Sequence, residues 1–549
     1  MASTTSTPVP AVRHSSVLLC RAAAYLAFLL VSAPFLYHLA HHSNAYLGLL
    51  DGGYFYYATI ADHLVTQGRL TFDGETLTNG FQPLWLVTVT GLRMVCGGFG
   101  PAFYVALTAL SFAAMVATYE LGARLAHLLG ASVERAAVLA AVYATATARL
   151  LSGGTETTLA VPLLLWLLVE FARPPALTPA RAAKLGFVAS LAILARVDSA
   201  IAVALCIAGF MWFERSSVSK PSRLFAAFST AGLLVPVYVA ANLWVFRIPL
   251  PVSTLARRLY TAGVSLAYAR SVAFTTVYGP TIAVVLPLGI AAVLVLRHPR
   301  RDAVPPRALL AASVSIGFAL LFFFLHALPG WIFFDGDAYP IATASLSALA
   351  LATEPGLGWL PGTPVTVAAA ACLIALQPLL ATRYYVEHGP WWSITDNTML
   401  AASYDISRYM KTREGLYAMG ANAGTVSYLS GAPLLQLEGI VSDKHLLNRI
   451  RREDPLDVAL RENGVDYLVV SLGGTRPERR NGCYQVTQPS AEWAGTRALK
   501  MRGEICDEPI AHFVTPAARN SWAVFPSMET FIWDVDHARW RSPGYVTGK

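Results

Sequence analysis

Asp51 stands in the run Leu50-Asp51-Gly52-Gly53-Tyr54-Phe55-Tyr56-Tyr57. The two glycines let another backbone or a ligand come close, and the aromatics offer faces on which a sugar ring could stack. A carboxylate so placed could take a proton from a hydroxyl as general base. It could equally be the N-cap of a helix running from residue 54 to 65. Other ionisable groups fall at Glu156, in Gly154-Thr155-Glu156-Thr157-Thr158-Leu159, at Arg196-Val197-Asp198, and at Asp335-Gly336-Asp337. Glu156 could do chemistry or cap a helix beginning near Thr155. Arg196 and Asp198 could meet a substrate or pair with each other at a helix break. Asp335 and Asp337 could hold a divalent cation or be solvated loop acids; Asp73, Glu75, Arg69 and Arg270 are expected to be ordinary solvated loop charges.

The elements that must position these groups are membrane helices. The chain of 549 residues is 55% hydrophobic and only 13% charged, against roughly a quarter charged in a soluble domain. Apolar blocks at 17–37, 224–245, 276–296, 307–327 and 363–381 each approach the roughly 20 residues that cross a bilayer. The first reads as a retained signal anchor, since no small-residue cleavage site follows it. The net charge of +8 lies entirely before residue 383, because the remainder holds 19 basic and 19 acidic residues. The excess sits in short loops, including Arg124 and Arg135, Arg173 to Lys184, Arg215 to Arg223 and Arg297 to Arg307, which face the cytoplasm by the positive-inside rule. Charges dispersed in this way form no stripe along a phosphate backbone, which excludes a nucleic-acid partner.

Loop parity gives spans near 101–123, 134–150, 156–172, 181–195 and 198–214, then five more. With the first block this makes about eleven, N-terminus inside and C-terminus outside. The apolar piece at 83–95 is too short to cross and reads as an interfacial helix. The pair either side of Arg196-Val197-Asp198 is the critical one, because a single long span there would reverse everything after it. Charges at membrane depth are costly unless they meet a polar cavity, which a helix break would provide. The expected fold is therefore a polytopic α-helical module at 1–382, with a first outer loop at 40–100, and a C-terminal soluble α/β domain at 383–549.

In that domain Tyr467-Leu468-Val469-Val470 reads as a strand, and 443–452 and 455–463 as helices. The stretch Gly420-Ala421-Asn422-Ala423-Gly424 has the wrong spacing for a nucleotide fingerprint and reads as a structural turn. Of six cysteines, only Cys483 and Cys506 lie in the soluble part. They are the disulfide candidates if that part is extracytoplasmic, and free thiols otherwise.

The acidic residue after the first span, followed by Thr71-Phe72-Asp73-Gly74 and by Thr78-Asn79-Gly80-Phe81-Gln82-Pro83-Leu84-Trp85, resembles the first outer loop of bacterial GT-C superfamily glycosyltransferases. Protein O-mannosyltransferases, aminoarabinose transferases and arabinofuranosyltransferases are similar in plan. Further resemblance lies in 154–159, in 196–198, in Pro249-Leu250-Pro251-Val252-Ser253 with Arg257, and in 424–439. It implies a polyprenyl-phosphate sugar donor, an outward-facing site in a bacterial plasma membrane, and Asp51 as base of an inverting transfer that is metal-independent or weakly metal-dependent. The acceptor could be glycan, lipid or protein. Arg196, Arg257 or Arg258 would hold the donor phosphate, while Tyr54, Asn79, Gln82 and Trp85 would line the substrate. Trp85, Trp244 and Trp331 also read as interface anchors.

Two departures from the family pattern stand out. Gly52 and Gly53 replace a second adjacent acid, which Glu156 or Asp198 would have to supply. Asp335 to Pro340 replaces a late Arg-Tyr. A transporter or flippase, and an inactive scaffold relative, are the competing readings; no internal repeat supports the transporter.

Overall fold

Proline at the start and glycine at the end set the limits of the helices around the first loop. Pro83 opens one helix and Gly97, in the left-handed region, closes it; Pro101 opens the next. The computed structural model describes residues 12–41, 44–173, 178–213, 228–229, 232–259, 306–327, 339–352, 398–473, 476–489, 498–516 and 527–541. The blocks at 276–296 and 363–381, Arg270, Trp331, Asp335, Asp337 and the boundary expected at 382–383 lie outside the described residues.

The helices of the first part are α1 (Val12–Ala40), α2 (Gly52–Gln67), α3 (Pro83–Cys96), α4 (Pro101–Leu128), α5 (Val133–Ser152), α6 (Thr157–Ala172), α7 (Pro179–Ala195), α8 (Ala200–Phe213), α9 (Leu234–Val245), α10 (Val252–Leu259), α11 (Pro306–Ala327) and α12 (Tyr339–Ala352). Among the described residues, three stretches are long and apolar enough to cross a membrane: Val17–Ala40, Pro101–Leu128 and Pro306–Leu325. Shorter apolar helices include α3, α6, α9 and most of α12. The expected break between α7 and α8 is present: Arg196 is extended, and Val197–Ser199 makes one 3-10 turn.

Small side chains let the bundle close. Ala136, Ala140, Ala144 and Ala148 recur every fourth residue on α5, all buried, so neighbouring backbones can approach. Phe28, Tyr119, Leu164, Leu168, Phe318 and Phe322 fill the space between α1, α4, α6 and α11. Helix α6 spans about 24 Å at 1.5 Å per residue and carries an ion-pair cluster at each end. At its C-terminal end buried Glu170 meets Arg173 at 3.0 Å and Lys184 at 2.7 Å; at its N-terminal end stands Glu156.

The C-terminal part is α/β, as expected. Its elements are α13 (Thr398–Met410), β1 (Tyr417–Met419), α14 (Ala423–Ser430), β2 (Leu434–Gln436), α15 (Lys444–Arg452), α16 (Leu456–Glu462), β3 (Tyr467–Gly473), β4 (Arg479–Arg480), β5 (Cys483–Gln488), β6 (Met501–Ile505), β7 (Ala511–Pro516), β8 (Ser527–Asp534) and β9 (Trp540–Arg541). One sheet has the order β2-β1-β3-β8-β7, parallel across its first three strands and antiparallel beyond; the other, β4-β5-β6-β9, is antiparallel. The Gly420–Gly424 stretch is the turn into α14, with Asn422 at φ 63°. Cys483 and Cys506 form a disulfide that ties β5 to the end of β6.

The two parts meet on the first loop. Thr78 donates its hydroxyl proton to the Ser442 carbonyl at 2.8 Å. A Cβ on Gly80 would come within 2.1 Å of the Ile440 carbonyl oxygen. Helix α14 lies on α2, with Gly424 against the Tyr56 ring, and a hydroxyl chain runs from Tyr54 through Tyr104 (3.4 Å) to Tyr428 (2.6 Å). Asp73 differs from expectation: it is buried, and its Oδ1 accepts from Thr71, Glu75 N–H and Thr76 N–H, so it builds the turn of the Thr71–Gly74 motif. Gly80→Ala is expected to cost about 1–3 kcal/mol by overpacking and Cys483→Ser about 3 kcal/mol. Both are read as lowered unfolding midpoints of the purified protein.

Candidate active site

Three segments distant in sequence converge beside the first loop. The Asp51 side chain caps α2, its Oδ1 accepting from Gly53 N–H at 2.9 Å, and its own N–H donates to the Gly153 carbonyl at 2.9 Å. Gly154, at φ +75°, brings this turn so close that a Cβ would meet the Tyr54 ring at 3.1 Å. Asp51 therefore sits directly against the segment that delivers Glu156.

Arg196 is the centre of the cluster. The residue is 5% exposed; its Nη1 donates to Glu156 Oε1 at 3.2 Å and its Nη2 to Asp198 Oδ2 at 2.8 Å. The Tyr339 ring lies 5.1 Å from it. Each carboxylate also accepts from a phenol: Tyr57 donates to Glu156 Oε2 at 3.0 Å, and Tyr339 to Asp198 Oδ1 at 2.7 Å. Burial, with Glu156 alongside, pushes the Tyr57 phenol well above its usual range, so it stays a proton donor to that carboxylate. Gln82 completes the assembly: its N–H donates to the Tyr57 hydroxyl at 3.1 Å, and its Oε1 accepts from Val197 N–H at 3.1 Å. Glu156, Arg196, Asp198 and Gln82, all singled out in the sequence, are thus brought together, and Asp51 adjoins them through its backbone bond to Gly153.

The remaining candidates are placed differently. Asn79 is buried and staples the loop before α10 to the first loop, its Nδ2 donating to the Leu250 carbonyl at 3.2 Å and its Oδ1 accepting from Val252 N–H at 3.0 Å. Arg257 and Arg258 follow on α10, whose apolar face of Val252, Ala256 and Leu259 packs with Leu446, Leu447 and Ile450 of α15. Tyr54 and Trp85 are fully buried in the junction core. For Trp85 this corrects the interface-anchor expectation, because α3 turns it inward with Leu86 and Val89. Trp244 is 78% exposed, as an anchor would be. Among the described residues, no three His, Cys, Asp or Glu side chains gather as a metal site would require.

No protein-family model and no curated protein matches the chain. Solved structures do. The oligosaccharyltransferase of Archaeoglobus fulgidus in its apo form is 13% identical, with a TM-score of 0.48 over 83% of this chain and 69% of its own. ArnT from Cupriavidus metallidurans bound to undecaprenyl phosphate is 11% identical, with a TM-score of 0.47 over 94% of this chain and 97% of its own. The arabinofuranosyltransferase AftD from Mycobacteria is 15% identical, with a TM-score of 0.41 over 85% of this chain and 37% of its own.

Sequence reasoning missed Tyr57 and Tyr339 as partners of the carboxylates, and it missed Glu438. No local spacing marks the first two, since they lie 99 and 141 residues from the acids they serve. Glu438 is buried beside the Tyr56 hydroxyl and accepts from Gln436 Nε2 at 3.0 Å. Burial pushes its carboxyl up to about 7 from the usual 4.5.

Arg196→Met leaves both carboxylates uncompensated and is expected to cost about 3–5 kcal/mol, while adding Glu156→Gln and Asp198→Asn restores part of the loss; unfolding midpoints of the single and triple variants test this. For Glu438 the folded state favours the protonated form. Its contribution is full below pH 4.5 and is lost as pH rises through about 7, on the order of 3 kcal/mol at most. Glu438→Gln should flatten that fall between pH 5 and pH 8, read from unfolding midpoints across the range.

Proposed function

We propose that the protein transfers a sugar from a polyprenyl-phosphate donor to an acceptor hydroxyl of a glycan, lipid or protein, with Asp51 as general base. The observation that carries the reading is the convergence of Asp51, the Glu156 turn and the Arg196–Asp198 break at one place beside the first loop. These are the motifs on which the resemblance to GT-C glycosyltransferases rests. In the proposed step Asp51, through Oδ2, takes the acceptor hydroxyl proton as that oxygen bonds to the anomeric carbon. The bond from the anomeric carbon to the phosphate oxygen breaks with its electron pair, and polyprenyl phosphate leaves.

Arg257 and Arg258 on α10 are proposed to hold that phosphate by charge-assisted hydrogen bonds. Arg196 belongs to the same site as its central cation, with Glu156 and Asp198 holding it in place. Gln82 is proposed to line the substrate, with Asn79 bracing the adjacent loop and Tyr54 and Trp85 packed behind the site. The step as written routes nothing through a metal, and a divalent cation at Asp335 and Asp337 rests on the sequence alone. We place the site at the extracytoplasmic face of a bacterial plasma membrane, with the N-terminus cytoplasmic. The Cys483–Cys506 disulfide supports that side for the C-terminal part, since such bonds persist in oxidising compartments.

Asn caps helices as well as Asp does, so Asp51→Asn separates chemistry from folding. Purified wild type and variant in nanodiscs, supplied with radiolabelled polyprenyl-phosphate sugars and acceptor extract, should differ by roughly 10²–10⁴-fold in transfer with similar unfolding midpoints. Unimpaired transfer by the variant would remove Asp51 as base. No transfer by the wild type from any donor would favour the scaffold or transporter reading.

A further inference from the structure

A cavity of about 310 Å³ opens where the first loop, the end of α9 and the start of α15 meet. Leu77, Phe246 and Ile248 are on its apolar side; Thr76, Asn79, Ser442, Asp443 and Lys444 form its polar side. Ser442 is 3% exposed, and its buried Oγ has no hydrogen-bond partner. An orphaned buried hydroxyl is costly unless something meets it. The exposed Lys444 ammonium reaches only the Arg247 carbonyl, at 3.4 Å. Arg247 itself stands exposed in a left-handed turn at φ 60°. Among the described residues neither cation has an ion-pair partner. The one carboxylate on the wall, Asp443, is committed through Oδ1 to capping α15 at Leu446 N–H, at 2.9 Å.

The apolar wall continues outward. Val245 lines the cavity, and Val237, Leu243 and Trp244 extend the same helix as an exposed apolar surface, the side a bilayer would cover. We propose that this cavity seats the phosphate headgroup of an anionic bilayer phospholipid whose acyl chains run along α9. A phosphate oxygen accepts from Ser442 Oγ, Lys444 and Arg247 supply the opposite charge, and Phe246 with Ile248 covers the start of the acyl region. Asn79, which staples the first loop to Leu250 and Val252, also lines this cavity, whereas Asp51, Glu156, Arg196 and Asp198 do not; retention of a phospholipid is therefore read separately from sugar transfer.

Native mass spectrometry of detergent-purified full chain, titrated separately with phosphatidylglycerol, phosphatidylcholine and undecaprenyl phosphate, tests it. One phosphatidylglycerol should be retained about tenfold more tightly than phosphatidylcholine, and Lys444→Glu with Arg247→Glu should lower that retention about tenfold. Ser442→Ala should lower it about threefold without lowering the unfolding midpoint, since it deletes an unpaired atom; it decides the matter if the double variant misfolds. Equal retention of the two phospholipids, or variants that retain phosphatidylglycerol like the wild type, overturns the proposal. Retention of undecaprenyl phosphate without phosphatidylglycerol also overturns it, and makes the cavity part of the donor's path.

Discussion

A guanidinium buried between two carboxylates holds the first part of this protein together. Arg196 cannot shed its proton, and burial strips it of water, so its charge must be met by Glu156 and Asp198. Those partners come from the start of α6 and from the turn between α7 and α8, and each is fixed again by a phenol from α2 or α12. The polar break between α7 and α8 is tolerable for the same reason: a non-helical backbone at such a place needs internal partners, and Gln82 supplies one to Val197 N–H. The ion network and the helix break are therefore one feature. Because the Glu156 turn also accepts the Asp51 N–H, the position of the proposed base depends on it.

The second constraint is the seating of the first loop between the helices and the C-terminal sheets. Thr78, Asn79 and Gly80 serve it in three ways: a hydroxyl to Ser442, an amide spanning Leu250 and Val252, and an absent side chain at Ile440. The C-terminal part thereby forms a wall beside the site. Burial at this junction pushes the Glu438 carboxyl up to about 7, which disfavours a charge where Tyr56 and Gly424 pack.

Much of this was legible in the sequence because it is local. Proline and glycine punctuation marks the ends of α3 and α4, and the Arg196-Val197-Asp198 interruption marks the break between two apolar runs. Alternation of strand and helix patterns gives the α/β character of the C-terminal part, and Cys483 and Cys506, alone in the soluble part, stand out as disulfide candidates, a bond the structure contains. What was not legible is long-range. Glu156 reaches Arg196 across 40 residues, and neither Tyr57 nor Tyr339 carries a spacing signal toward its carboxylate. Asp73 and Trp85 read as solvated and interfacial from composition, yet tertiary packing buries both. Asn79 looked like a site residue, and the structure makes it a staple; the same motif carries both meanings until the partner loop is in place.

The proposed transfer takes place at Asp51, beside the Glu156–Arg196–Asp198 cluster. A cryo-EM structure of the Asp51→Asn variant with a polyprenyl-phosphate sugar and acceptor tests it most directly. The expected structure has the anomeric carbon within roughly 3.5 Å of the acceptor oxygen, that oxygen within hydrogen-bonding reach of the residue 51 side chain, and the phosphate toward Arg257 and Arg258. A donor sugar ordered elsewhere, with residue 51 touching only its own helix, would contradict it.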